Sequence, residues 1–464
     1  MKKILFCFFA LFYVIGFDTA MCQHAVVQAN YPNDVERTIV REYVYPATVS
    51  YVQTAVEHYF AYADASMTVT NCEISHDLYV TDLALHGQFA YFCGYNTVSG
   101  VGVWGWFDVN TLISGVLNYY IHDNFGCSGL YADSLFSLEV YEQKGLLHVV
   151  TVGSTTDATG KKKTACLIDI TGAEGVATGW NYEMGVPQCF NTLFNRLTRV
   201  CVTDNYIVAA GAADLALCSE GYRIHRRSSP FMVGGPQDSL RFFTGVNGYP
   251  DHNGRNMAMT HTVGDTFASA TYWYNNPYSN APDGILVNVY DIAQVLTGPG
   301  AMPVYSKYCN LPQQIQNYFY KYRIYDLIYN NSHNGIVLLL NGEFPYGIGS
   351  GSLISELSLP LPTGGSSIYL QDIHLTSLDS YKNQQNFVAQ GYDGTDPKQI
   401  TSFTQPLSTL PQCATPATYS TSQSNYGEKP HYCPYFVCTD NFECGIVTQA
   451  ASSIIPNKTI CVKP

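Results

Sequence analysis

Charged residues are scarce in this chain, and basic residues are the scarcest. Charged residues make up 13% of the 464 positions, with 23 lysines and arginines against 36 aspartates and glutamates, and the formal net charge is −13. A surface that binds nucleic acid depends on lysine and arginine to neutralise phosphates. The composition therefore argues against a nucleic-acid partner.

Long apolar runs are absent after the N-terminus, so the sequence predicts no membrane span. In residues 1–22, Lys2 and Lys3 precede an apolar run over residues 4–17, which is shorter than the ~20 residues of a membrane helix. This pattern predicts a secretory signal peptide cleaved after Cys22. We expect a secreted, periplasmic or cell-surface protein. A lipid anchor on Cys22 is the alternative, although residues 18–21 lack the leucine and the small residue of a lipobox.

Common catalytic signatures are missing as well. The stretch from Gly153 to Lys162 has the wrong spacing for a P-loop and ends on lysine in place of serine or threonine. Residues 349–351 lack the spacing of a nucleophile elbow, and no His-Glu-x-x-His motif occurs. The sequence therefore assigns no catalytic residue and leans against an enzyme without excluding one.

What the chain does contain is a repeated strand pattern. Aromatics make up 14% of the residues, with 37 tyrosines, a composition that suits sheets better than helices. A short apolar strand that ends in glycine recurs at intervals of 49 to 69 residues, and one copy lacks the glycine. The copies are residues 89–94, 147–153, 206–211, 267–273 (without glycine), 336–342 and 387–391.

Each copy is followed by a polar turn and a second strand, over residues 103–109, 165–170, 221–225, 286–292, 353–359 and 399–403. Units of three or four antiparallel strands at this period resemble the blades of kelch-like β-propellers, although no individual family is identified. The resemblance implies an all-β propeller, with six blades favoured. A seventh blade could come from residues 35–75 and the C-terminal segment. A pair of β-sandwiches or a solenoid is the alternative fold.

Three segments follow from this interpretation. They are a signal peptide over residues 1–22, a β-propeller over residues 23–410 and a cysteine-rich segment over residues 411–464 that could help to close the propeller.

The C-terminal segment contains four closely spaced cysteines, Cys433, Cys438, Cys444 and Cys461. Fifteen cysteines less Cys7 and Cys22 leave thirteen in the mature chain, so at least one thiol has no intramolecular partner. In an exported chain these four cysteines predict disulfides. A zinc site that includes His431 is the alternative, although the spacing is not that of paired Cys-x-x-Cys modules.

The densest aromatic patch is the candidate ligand-binding segment. It combines Tyr272, Trp273, Tyr274 and Tyr278 with Asn275. Aromatic faces beside amide groups can stack on sugars and hydrogen-bond to their hydroxyl groups. The alternative role is packing between blades, and the same consideration predicts that Trp104 and Trp106 are core residues.

Two polar stretches are weaker candidates. Residues 251–254 offer the oxygen ligands of a calcium loop, but Thr262 stands where such a loop needs glutamate, so an ordinary turn is favoured and no cofactor is expected. His261 and Asp265 have the residue types of an acid–base pair.

The sequence therefore predicts an exported propeller that acts as a binding or scaffolding module for a protein or a carbohydrate. The alternative is a propeller-fold glycan hydrolase or lyase with its site at the axial mouth.

Overall fold

The computed structural model describes residues 26–462 except for the following gaps: 66–67, 124–129, 158–162, 173–182, 185–187, 191–193, 214–220, 228–238, 244–256, 274–283, 298–302, 311–320, 332–333, 344–349, 359–367, 372, 381–385, 394–395, 407–444 and 449–458.

Helix is confined, in these residues, to α1 (Val109–Ile113) and α2 (Ile292–Thr297). Each begins at an aspartate that accepts a backbone N–H of the first turn: Asp108 from Asn110 at 2.9 Å and Asp291 from Ala293 at 2.8 Å. Neither helix has the length or the apolar content to cross a membrane.

The strands form antiparallel sheets, which we number in chain order. Sheet 1 contains β2 (Val35–Val44), β3 (Ala47–Thr54), β4 (His58–Ala63) and β5 (Val69–Ile74). Sheet 2 contains β6 (Leu78–His86), β7 (Phe89–Asn96), β8 (Val101–Asp108) and β9 (Tyr119–His122). Sheet 3 contains β10 (Leu130–Gln143), β11 (Leu146–Asp157), β12 (Lys163–Thr171), β13 (Glu183–Met184) and β14 (Gln188–Phe190). Sheet 4 contains β15 (Phe194–Val202), β16 (Tyr206–Ala213), β17 (Gly221–Arg226) and β18 (Ser239–Phe243).

Sheet 5 contains β19 (Met257–His261), β20 (Thr266–Trp273), β21 (Gly284–Asp291) and β22 (Tyr305–Asn310). Sheet 6 contains β23 (Lys321–Asn330), β24 (Gly335–Glu343), β25 (Ser350–Ser358) and β26 (Ile368–Gln371). Sheet 7 contains β27 (Ile373–Ser380), β28 (Asn386–Asp393) and β29 (Gln399–Pro406), and its fourth strand is the N-terminal β1 (Val26–Asn30). A separate hairpin pairs β30 (Gly445–Thr448) with β31 (Thr459–Val462).

One strand of each sheet lies beside the corresponding strands of the neighbouring sheets, and we call it the inner strand. The inner strands of sheets 1–7 are β2, β6, β10, β15, β19, β23 and β27. Thr38 donates its backbone N–H to Thr376 Oγ1 at 2.8 Å, and Glu42 donates to Asp379 Oδ2 at 2.8 Å, so β2 and β27 run in the same direction. The inner strands of sheets 1 and 2 are likewise parallel, as are those of sheets 2 and 3. Parallel inner strands with antiparallel strands stacked outward from each are the arrangement of a β-propeller. The all-β, propeller-type prediction is therefore confirmed.

The repeated glycines have a structural cause in a β-bulge of the inner strand. In four sheets the register shifts directly after the residue that pairs with the glycine; the pairs are Val80–Gly94, Leu135–Gly153, Leu197–Gly211 and Leu375–Gly391. A Cβ on Gly94 would lie 1.9 Å from the Tyr79 carbonyl oxygen. The copy without glycine lies in β20, which pairs with β19 without a shift. The bulge explains these glycines, because a Cβ at Gly94, Gly153 or Gly391 would meet the backbone of the inner strand. The bulges of β2 and β23 face Thr54 and Leu340 instead.

Apolar side chains fill the spaces between neighbouring sheets. Between sheets 1 and 2 the ring of Phe60 lies 5.3 Å from that of Phe92 and 4.5 Å from that of Phe107, and all three are buried. The core also contains Trp104 and Trp106, as the sequence predicted.

Candidate functional site

A polar cavity lies among the inner strands. Its volume is about 390 Å³, and residues of all seven inner strands line it. This size is in the range of small-molecule sites. The charged side chains in its wall are Arg37, Arg41, Glu42, Asp82, Glu139, Arg199, Asp326 and Asp379.

Asp82 is the most heavily bonded of these groups. Its carboxylate pairs with Arg41 Nη2 at 2.7 Å and accepts hydrogen bonds from Ser137 Oγ at 2.9 Å and the Leu138 backbone N–H at 3.0 Å. These partners belong to β2 and β10, on either side of β6. Asp82 therefore ties three inner strands together.

The same position has the same role in other sheets. The residue directly after the bulge accepts a backbone N–H from the next inner strand; these pairs are Asp82 with Leu138, Ser137 with Val200, Asp326 with Leu378, and Ser377 with Val40. The acids Asp82 and Asp326 are thus structural acceptors.

Two of the arginines are also engaged in joining strands. Arg37 donates from Nη1 and Nη2 to the carbonyl oxygens of Val80 and Thr81, and Arg41 donates from Nε to that of Leu83. Burial alone would lower the pKa of Arg41, but the carboxylates around it, with Asp82 the strongest, raise it. Both side chains hold sheet 1 against sheet 2.

Arg199 and Glu139 differ from the other charged groups. Arg199 occupies the position after the bulge in β15, where a guanidinium cannot accept the N–H that aspartate or serine accepts elsewhere. In the part of the chain that the structure describes, it donates one hydrogen bond, from Nη1 to the carbonyl of its neighbour Thr198 at 2.8 Å. The side chain of Glu139, on the adjacent β10, makes no hydrogen bond or ion pair within the described residues.

Burial shifts the pKa values of three charged side chains in the cavity wall. It raises the pKa of Glu139 to about 8, with a further increase from the nearby Asp82. It raises the pKa of Asp326 to about 6, although Arg41 opposes the change. Burial lowers the pKa of Arg199, although Asp82 and Asp326 oppose the change; among the described residues no carboxylate pairs with it directly. This shift favours the neutral carboxylic acid form of Glu139 at pH 7, which can donate a hydrogen bond.

Glu139→Gln is expected to stabilise the protein at high pH. The pKa of Glu139 is about 8 in the folded protein against an ordinary value of 4.5, so the folded state keeps a proton that the unfolded chain has released. This group's contribution therefore falls as pH rises from about 4.5 and reaches its minimum above pH 8. Urea unfolding should show equal stabilities near pH 4 and an advantage of about 1–3 kcal/mol for the variant at pH 9. A constant difference across that range would contradict the prediction.

Of the residues predicted from the sequence to bind a ligand, the structure describes Tyr272 and Trp273, and neither lines the cavity. Tyr272 and Trp273 are the last two residues of β20, where they pair with Ile285 and Gly284. Tyr274, Asn275 and Tyr278 lie outside the described residues. The glycan role of this segment remains a prediction.

Other predictions also concern residues outside the described part of the chain. These are the calcium-like loop at residues 251–254 and the cysteines Cys433, Cys438 and Cys444. Of Cys461 the structure gives the strand position, opposite Ile446 in the β30–β31 hairpin. The disulfide prediction for this segment therefore stands untested.

His261 and Asp265 make structural contacts and do not pair with each other. His261 Nε2 lies 2.9 Å from the Gly264 carbonyl oxygen. Asp265 accepts from Thr203 Oγ1 at 3.0 Å and from the backbone N–H of Asn205 at 2.8 Å. Asp265 therefore ties sheet 5 to sheet 4. Within the described residues no group of three or more His, Cys, Asp or Glu side chains is arranged to hold a metal ion.

A second surface stands out at one end of the sheets. Because the inner strands run parallel and each sheet is antiparallel, the connections from first to second strand and from third to fourth strand all lie at this end. We call it the loop end. Of the twelve large apolar side chains that are exposed in the described residues, eight lie there: Val44, Tyr45, Ile113, Val116, Leu146, Val263, Leu296 and Val304. The opposite connections contain two, Val56 and Val98.

Comparison with known proteins finds similarity in solved structures alone. No protein-family model matches the chain, and no curated protein matches it. The chain is similar to the Dos1 propeller at 11% identity and a TM-score of 0.43, over 76% of this chain and 75% of that one. It is similar to the β-propeller domain of the Trilobed protease from Pyrococcus furiosus at 9% identity and a TM-score of 0.43, over 80% and 96% of the two chains. A protein from Lactobacillus plantarum gives 11% identity and a TM-score of 0.43, over 82% and 97%. None of these similarities indicates a function.

Proposed function

We propose that the chain is an exported β-propeller that acts as a binding module for a protein and docks its partner on the loop end. The observation that carries this proposal is the position of the exposed apolar side chains, eight of twelve of which lie at that end. Single exposed apolar residues are normal on any protein, but their concentration on one surface is typical of interaction sites.

The loop end also offers a rigid base for such a surface. Several of its first-to-second-strand connections are short, such as residues 45–46, 87–88 and 144–145. Backbone hydrogen bonds anchor parts of this end, such as those of Asp204 N–H to the Gly264 carbonyl and Arg227 N–H to the Asn205 carbonyl. Loops on a rigid scaffold are frequent recognition sites, because little conformational entropy is lost on binding.

We infer that sheets 1–7 are seven blades, in place of the six that the repeats favoured. The six repeats correspond to sheets 2–7, and residues 35–74 supply sheet 1. The pairing of β1 with β29 supports closure of the ring by the N-terminal strand.

A binding role is favoured over glycan hydrolysis. A glycosidase of the usual kind needs two carboxyl groups that act on the glycosidic bond from either side. In the cavity wall, three of the five acids, Asp82, Asp326 and Asp379, accept backbone N–H groups from neighbouring strands and so have structural roles. A glycan remains the alternative partner, with residues 272–278 as its proposed surface.

Site-specific photo-crosslinking tests the docking surface. A crosslinking amino acid is introduced into the full chain at Leu146 on the loop end or, as the matched control, at Val98 on the opposite end; both positions are exposed. We expect the probe at position 146 to capture one saturable protein species from the extracellular medium. Excess wild-type chain should compete, and a Leu146→Glu, Val263→Glu double variant should compete at least about tenfold less well.

Equal capture from both ends, or competition that the double variant matches, would contradict the proposal. Retention on a glycan array that survives the same double variant would instead support the glycan alternative.

A further inference from the structure

Five of the eight charged side chains in the cavity wall hold strands together. Glu42 has interactions of its own, and its backbone N–H binds the Asp379 carboxylate. Asp82, Asp326 and Asp379 accept backbone N–H groups, and Arg37 and Arg41 donate to backbone carbonyls. Arg199 and Glu139 have no such contacts across the inner strands in the described residues, although they belong to the adjacent strands β15 and β10. We propose that the axial cavity is a binding site for a small monocarboxylate, held by the guanidinium of Arg199 with Glu139 as a second donor.

The position of Arg199 argues for a ligand. In four other sheets this position holds an aspartate or a serine that accepts the N–H of the next strand. Arginine cannot do so, and its partly buried charge is left without a paired carboxylate in the described residues. An anion in the cavity would pair with this charge. A guanidinium matches the geometry of a carboxylate with two parallel N–H groups.

The carboxyl group of Glu139 complements this site. Burial raises its pKa to about 8, so at neutral pH it carries a proton that it can donate to a bound carboxylate oxygen. The groups around it are Asp82, Arg41, Asp379 and Asp326 on their own inner strands, and Cys201 on β15.

The surroundings favour a monoanion over a dianion or a cation. Asp82, Asp326 and Asp379 contribute negative charge to the wall, which disfavours a doubly charged phosphate. A cation would lie near the Arg199 guanidinium, which no carboxylate of the described residues pairs directly. A volume of about 390 Å³ admits a small organic acid.

Anion binding at this site should depend on pH, because it is linked to the protonation of Glu139. An anion beside Glu139 favours the protonated form of that side chain, because two like charges repel each other. Binding should therefore be strong below pH 8 and should weaken as Glu139 ionises. Glutamine at position 139 keeps an N–H donor at every pH, so Glu139→Gln should remove this dependence.

Acetate is the probe for the test, with its neutral isostere acetamide and the cation methylammonium as controls, all at constant ionic strength. Thermal unfolding of the full chain at pH 6.5 is expected to show a saturable rise in Tm with acetate and none with acetamide or methylammonium. Arg199→Gln should weaken the acetate response by about tenfold or more, whereas Arg226→Gln, which removes an exposed arginine from outside the cavity, should leave it unchanged. At pH 9 the wild-type response should fall, while that of Glu139→Gln should persist.

An equal response to acetamide, a response confined to methylammonium, or full acetate binding by Arg199→Gln would overturn the proposal. Should Arg199→Gln not fold, the comparison of wild type with Glu139→Gln at pH 6.5 and pH 9 decides it, because identical pH profiles would exclude Glu139 from the site.

Discussion

Asp82→Ala is expected to lower the free energy of unfolding by about 2–4 kcal/mol. The carboxylate joins the Arg41 guanidinium on β2 to the Ser137 hydroxyl and Leu138 N–H on β10. Alanine would leave the arginine charge and the backbone donor without this partner inside the protein, and the loss of a partly buried, hydrogen-bonded charge pair is costly. Chemical denaturation followed by tryptophan fluorescence measures the change.

Two further variants separate the charge from the hydrogen bonds. Asp82→Asn keeps an oxygen that can accept from Leu138 but cannot neutralise Arg41, so it should lie between wild type and alanine. Asp77→Ala removes a surface aspartate that contacts His76 at 2.9 Å, and it should cost under about 1 kcal/mol. If Asp82→Ala were no more destabilising than Asp77→Ala, the strand-joining role of Asp82 would be wrong.

The strand pattern could be predicted from the sequence because the same succession of strands recurs from sheet to sheet. The glycine-ended strands and the strands that follow them became the second and third strands of sheets 2–7. Sheet 1 was missed as a full unit because its second strand, β3, carries Gln53 and Thr54 where other copies have glycine. The number of sheets therefore could not be read from the glycine pattern.

The charged cavity was not predicted, and the reason lies in the position of its residues. Glu139 and Arg199 lie in strands that carry other charges, Asp133 and Glu142 in β10 and Arg196 in β15, and a charge in a strand ordinarily points to solvent. The available signal was the apolar residues beside the two charges, Leu138 and Val140 around Glu139 and Val200 after Arg199. That they share one cavity depends on the packing of seven strands that are distant in sequence, and no local pattern contains that information.

Packing against a neighbouring strand also explains the glycines opposite the bulges, and this gives a second prediction with a large expected effect. Gly94→Ala is expected to destabilise the protein by at least about 4 kcal/mol, because the new Cβ would lie 1.9 Å from the Tyr79 carbonyl oxygen and 3.0 Å from Val80 Cα, both backbone atoms that cannot rotate away. Relief would require the bulge in β6 to open, which would displace Asp82 from its partners. The matched control is Gly87→Ala, at a turn with open space around it and φ of +58°, where the left-handed backbone alone should cost about 1–2 kcal/mol. Thermal and urea unfolding of the two variants measure the difference. Equal destabilisation at both positions would mean that the carbonyl contact does not explain the glycine at the bulge.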